Sequence, residues 1–188
     1  MSRQARILLV DDREENLFAL DAILSSLNQI LVPAQSGEQA LEALRKDEFA
    51  VVLLDIVMPG MSGLETAARI KGDVTTRDVP IIFLTAAPAE PEQVFLGYAA
   101  GAVDFLAKPF DPGVLKAKVS VFVELYLKAR QLIDQLSGRL EAVEETVATL
   151  GALPAVSGDA EAGEAAARLA HRVGRLRDAL DALGGGHG

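Results

Sequence analysis

Hydrophobic and polar positions follow two alternating rhythms over residues 1 to about 125. Short apolar, β-branched runs occur at ARILLV (5–10), QILVPA (29–34), FAVVLL (49–54), VPIIFL (79–84) and AVDFL (102–106). Between them, apolar residues recur at helical spacing. One set is Leu17, Leu20, Ile23, Leu24 and Leu27; the next is Ala40, Leu41 and Leu44; a third is Leu64, Ala67, Ala68 and Ile70; a fourth is Val94, Phe95 and Tyr98. Ser36 with Gln39 three residues later forms a capping-box signature ahead of the second set. Strands alternating with helices predict an α/β domain built on a five-stranded parallel sheet. The near-continuous apolar strands predict that both faces of the sheet are covered.

The rhythm changes after the last run. A helix is predicted to start near Asp111–Pro112, where Pro is allowed in the first turn. Its apolar positions continue as Tyr126, Ala129, Ile133, Leu136, Leu140, Val143, Val147 and Leu150, a heptad seam of the coiled-coil kind. Gly138 interrupts it, at up to about 1 kcal/mol relative to Ala. Gly151 and Pro154 are stop signals. A small, turn-prone connector follows, and then a second seam of Ala166, Leu169, Val173, Leu176, Leu180 and Leu183. The expected division is a first domain at 1–125, a coiled-coil continuation of its last helix at 126–151, a connector at 152–163, a second amphipathic helix at 164–184 and a flexible tail at 185–188.

Composition narrows the function classes. The chain has 188 residues, half of them hydrophobic, so a sizeable core is available. It lacks Cys, which removes disulfides, thiolate metal sites and Cys nucleophiles. With neither a signal-peptide pattern nor an apolar run of transmembrane length, the expectation is a cytoplasmic protein without membrane insertion. A formal charge of −9, few aromatics and no Trp argue against nucleic-acid binding. From Arg130 to the end, six Arg face nine acidic residues, the wrong sign for a DNA-reading output.

Parallel sheets place ligands at the carboxyl ends of their strands. Asp11 and Asp12 follow the first run, Asp55 the third, Thr85 the fourth, and Lys108 and Pro109 the fifth. Singly these have plain readings: an N-cap and its neighbour for the acid pair, strand-end packing for Thr85, a solvated charge for Lys108. Together they converge on one rim. Three adjacent carboxylates repel unless a cation offsets them. A hard divalent ion such as Mg²⁺ suits an all-oxygen donor set. An ammonium from Lys108 and a hydroxyl from Thr85 suit an incoming phosphoryl group. Asp55 is then the nucleophile, giving an aspartyl phosphate.

The segments LLVDD (8–12) with Asn16 beyond, LLDIVMPGMSG (53–63), LTA (84–86) and GAVDFLAKPF (101–110) resemble the receiver domain of two-component response regulators. The resemblance implies a doubly wound, flavodoxin-like sheet of order 2-1-3-4-5. It implies phosphorylation of Asp55 by a sensor histidine kinase. It also implies Mg²⁺ held by Asp11, Asp12 and Asp55 with the Val57 backbone carbonyl, and Thr85 and Lys108 on the phosphoryl oxygens. A cis Lys108–Pro109 bond and a switch pair of Thr85 and Phe105 follow as well. Phe stands where the family commonly has Tyr, so only the packing half of that switch is implied. Apolar Val57 and Ala87, each two residues beyond a site residue, imply slow self-dephosphorylation.

The two helical seams are read as the output: a homodimer whose antiparallel hairpins form a four-helix bundle, with a possible downstream signalling protein as partner. A parallel coiled coil of the first helix alone is the alternative for the extension. Two other functional readings stand beside these. One is a phosphotransfer intermediate using His171, although LAHRVGRLRD lacks the phosphotransfer patterns H-E-x-x-R-x-P and H-x-x-K-G. The other is a receiver and linker helix from a larger regulator with a catalytic output. Apart from self-catalysed acceptance of a phosphoryl group and its slow loss, no enzymatic activity is expected.

Overall fold

The computed structural model describes residues 4–86, 101, 103–153 and 158–183. The chain divides into two compact units at Leu127/Lys128. Each is described separately.

In the first unit, β1 (Arg6–Val10), β2 (Ile30–Ala34), β3 (Val51–Asp55), β4 (Ile81–Ala86) and β5 (Asp104–Lys108) form one sheet. All neighbours are parallel and the order is β2-β1-β3-β4-β5, as the resemblance implies. Helix α1 (Glu14–Leu24), α2 (Gly37–Lys46), α3 (Gly63–Gly72) and α4 (Pro112–Gly151) connect and follow the strands. Two apolar layers cover the sheet. Leu17, Leu20 and Leu24 of α1 and Leu115, Val119 and Val123 of α4 pack with Ile7, Leu9 and Leu53 on one face. Ala40 and Leu44 of α2 and Ala67 and Ile70 of α3 pack with Leu8, Val52 and Leu54 on the other. This double covering is why β3 is buried along its whole length. The fourth expected helix, at Val94–Tyr98, lies outside the described residues.

Local chemistry sets the boundaries. Ser36 caps α2 by accepting the Gln39 N–H at 3.2 Å. Gln39 returns the bond to the Gln35 N–H at 2.8 Å, one residue earlier than a standard capping box would have it. Ser62 caps α3 in the same way, accepting from Glu65 N–H at 3.2 Å. Asp111 Oδ1 caps α4, accepting from Gly113 N–H at 2.7 Å and Val114 N–H at 3.0 Å. Strand β5 runs to Lys108 rather than stopping at Leu106, because pairing with β4 continues through Ala86↔Lys108 after the apolar run has ended.

In the second unit, the rest of α4 packs against α5 (Ala160–Leu183) as an antiparallel hairpin. Gly151 near the turn faces Ala166. Farther along, Arg177 is paired with Glu141, at 2.6 Å, and with Glu144. Helix α5 starts ahead of the expected residue 164 because Asp159 Oδ1 accepts the N–H groups of Glu161 at 2.9 Å and Ala162 at 3.1 Å. Each heptad seam splits into two rows. Ile133, Leu140 and Val147 on α4 and Ala166, Val173 and Leu180 on α5 are buried or half-buried. Leu136, Val143 and Leu150, with Leu169, Leu176 and Leu183, are exposed. Pro154, expected to help end α4, is outside the described residues.

Candidate functional site

The carboxyl ends of β1, β3, β4 and β5 carry the predicted polar residues. Asp11 follows β1 directly, Asp55 is the last residue of β3, Thr85 lies next to the end of β4, and Lys108 ends β5. The chain turns back against β3 directly after Asp55. Gly60 takes a left-handed φ of 74° in this turn. A Cβ on Gly63 would lie 2.0 Å from the Asp55 carbonyl oxygen, so the return of the chain against β3 requires glycine there.

Asp11, Asp12 and Asp55 each offer a carboxylate oxygen, and the three atoms lie within 4.8 Å of one another. Asp11 and Asp55 are buried, and Asp12 is half-buried. Lys108 Nζ bridges two of them, at 2.7 Å from Asp11 Oδ2 and 3.2 Å from Asp55 Oδ1. Burial pushes the Asp55 carboxyl above its ordinary pKa; Lys108 opposes this, and the charges of Asp11 and Asp12 add to it. One ammonium among three carboxylates leaves the site short of positive charge. An all-oxygen donor set with that deficit fits Mg²⁺.

Thr85 is buried beside Asp55, whose register partner on β4 is Leu84. Phe105 is half-buried on β5 opposite Phe83, with ring centroids 5.3 Å apart and planes tilted by 36°. The Lys108–Pro109 peptide is cis. Val57, two residues beyond Asp55, is 72% exposed. Ala87 lies outside the described residues.

One contributor had no role assigned from the sequence. Asn16 Nδ2 donates to both oxygens of Asp11, at 2.8 and 3.0 Å. Neither helical periodicity nor a capping pattern links residues five apart across a helix start. His171 is exposed on α5, and Arg177, one of the cations near it in sequence, is engaged by Glu141 and Glu144. Among the described residues no helix is long and apolar enough to cross a membrane.

A family model described as the response regulator receiver domain matches residues 7–120. A Vibrio cholerae protein named "Probable cyclic di-GMP phosphodiesterase" is 35% identical over 94% of this chain and 42% of its own length. The response regulator PleD of Caulobacter vibrioides is 37% identical over 72% of this chain and 29% of its own. The chain thus spans less than half the length of either relative. Among solved structures, the chemotaxis protein CheY4 of Vibrio cholerae superposes with a TM-score of 0.60 at 28% identity, covering 64% of this chain and 99% of that one. A CheY-like receiver domain protein from Methanospirillum hungatei gives 0.61 at 25% identity, over 67% and 98%. With the strand order, the acidic cluster and the family match in agreement, this chain belongs to the response regulator receiver domain family and to two-component signalling.

Proposed function

We propose that this protein is a response regulator phosphorylated on Asp55 by a sensor histidine kinase, with the helical extension as its output. The observation that carries the reading is Asp55 at the tip of β3, within reach of two further carboxylates and of Lys108. An Asp55 oxygen forms the new P–O bond as the P–N bond to the donor imidazole breaks, and the imidazole keeps that electron pair. Asp11, Asp12 and Asp55, with the Val57 carbonyl, would hold Mg²⁺, which supplies charge neutralisation on the phosphoryl oxygens. Lys108 and Thr85 take the remaining phosphoryl oxygens, by charge and by hydroxyl donation. Movement of Thr85 then leaves room for the Phe105 ring to turn inward.

The reading places the receiver at 1–125 and the output beyond it, with assembly as a homodimer through the exposed helical rows and a cytoplasmic location. The test is phosphoryl uptake from acetyl phosphate, followed by intact mass. Wild type with Mg²⁺ should gain the mass of one phosphoryl group. Asp55→Asn, or wild type in EDTA, should gain none. Uptake by a folded Asp55→Asn protein would show that the acceptor is elsewhere.

A second reading has one observation in its favour. Likeness to the Vibrio cholerae relative runs over 94% of this chain, past the receiver and into the helices, yet covers 42% of that protein. In this reading the helices are a linker to a catalytic output such as a cyclic di-GMP phosphodiesterase. An intact mass of the native protein equal to the 19.9 kDa of this chain contradicts it.

A further inference from the structure

Asp11 is fully buried and accepts four hydrogen bonds. Its Oδ1 takes the Arg13 N–H at 3.0 Å and Asn16 Nδ2 at 2.8 Å. Its Oδ2 takes Lys108 Nζ at 2.7 Å and the same Asn16 nitrogen at 3.0 Å. A carboxylate offers roughly four lone-pair sites, so in the metal-free site a cation reaching Asp11 has to share Oδ2 with Lys108 or replace it there. Two of the four bonds come from a single neutral amide.

We infer that Asn16 is a positioning residue for the metal site, holding the Asp11 carboxylate in place beside the cation position; this rests on the reading of the acidic cluster as a Mg²⁺ site. Three features support it. The Asn16 amide nitrogen reaches both oxygens, at 2.8 and 3.0 Å, and so fixes how far the carboxyl group projects into the site. Asn16 is neutral, so it hydrogen-bonds a buried anion without cancelling the charge that attracts a cation, whereas Lys108 brings a positive charge to Oδ2. The third residue of α1 carries this amide, and the N-cap of that helix, Arg13, makes no side-chain capping bond. The helix start is instead secured through Asp11, which accepts the Arg13 N–H. The metal loop and the rigid helix are therefore tied together by one carboxylate and one amide. Partners of this kind around metal ligands commonly set affinity.

A purely structural capping role would change stability alone, and the experiment separates the two. Mg²⁺ binding to the full chain is measured by calorimetry for wild type, Asn16→Ala and the near-isosteric Asn16→Leu, with melting in EDTA recorded for each. In parallel, the Mg²⁺ concentration that half-saturates phosphoryl uptake from acetyl phosphate is determined. The expected result is a Kd and a half-saturating Mg²⁺ concentration raised by about tenfold, with maximal uptake at saturating Mg²⁺ within about twofold of wild type. Unchanged Mg²⁺ affinity in a folded variant overturns the inference, as does failure of both variants to fold, which makes Asn16 structural. If wild type itself binds no Mg²⁺, the reading of the acidic cluster fails first.

Discussion

Burial holds the Asp55 carboxyl above its ordinary pKa, with Lys108 pulling the other way, and the direction has a consequence for stability. An acid whose pKa is higher folded than unfolded binds its proton more tightly when folded. Below the unfolded pKa both states are protonated and nothing is lost. As pH rises through the unfolded value to the folded one, stability falls, and at neutral pH the full cost is present. Asp55→Asn should therefore stabilise the metal-free protein at neutral pH, with the gain shrinking towards acid. Urea unfolding in EDTA across that range checks this; a destabilised Asn variant at neutral pH would contradict the assignment. The site was unusually legible in the sequence. Asp11, Asp12, Asp55, Thr85 and Lys108 each follow or end an apolar run, and parallel-sheet topology brings such ends to one rim. Asn16 was legible only as part of a motif. Its function depends on a side chain reaching back across the start of α1, and periodicity carries no signal for that.

Element boundaries failed where backbone pairing and side-chain pattern part company. Strand β5 outlasts its apolar run because hydrogen bonding to β4 continues through Lys108. Helix α5 begins early because Asp159, inside a segment that read as a connector, is a cap. The heptad seams are legible in the sequence, but a seam specifies two rows and not which row finds which partner. One row closes the hairpin, through Val147 and Val173 at its centre; the other stays exposed. These rows should respond differently to substitution. Val173→Ala removes buried methyl groups and should cost the hairpin about 1–2 kcal/mol. Leu176→Ser, at an exposed position, should change hairpin stability by less than about 0.5 kcal/mol while weakening self-association. Thermal unfolding followed by helical circular dichroism, paired with sedimentation velocity, separates the two. Equal destabilisation by both would mean that the rows are not functionally distinct.

In the molecule as a whole, the proposed phosphoacceptor site belongs to one unit and the exposed apolar rows to the other. Six large apolar side chains spaced by sevens along two antiparallel helices leave more uncovered surface than scattered exposed residues do. In the proposed homodimer a two-fold related copy would present the same antiparallel rows in return, a self-complementary arrangement. Helical bundles satisfy such rows with interdigitating side chains. The absolute molar mass in solution tests this most directly. It should be measured by light scattering on the full chain with Mg²⁺, before and after a beryllium fluoride phosphoryl mimic is added. The account predicts twice the 19.9 kDa chain mass in at least one of the two states, and a change between them if phosphorylation controls assembly. A monomer in both states, at concentrations where the site binds the mimic, would contradict the claim that the helical extension signals by dimerising.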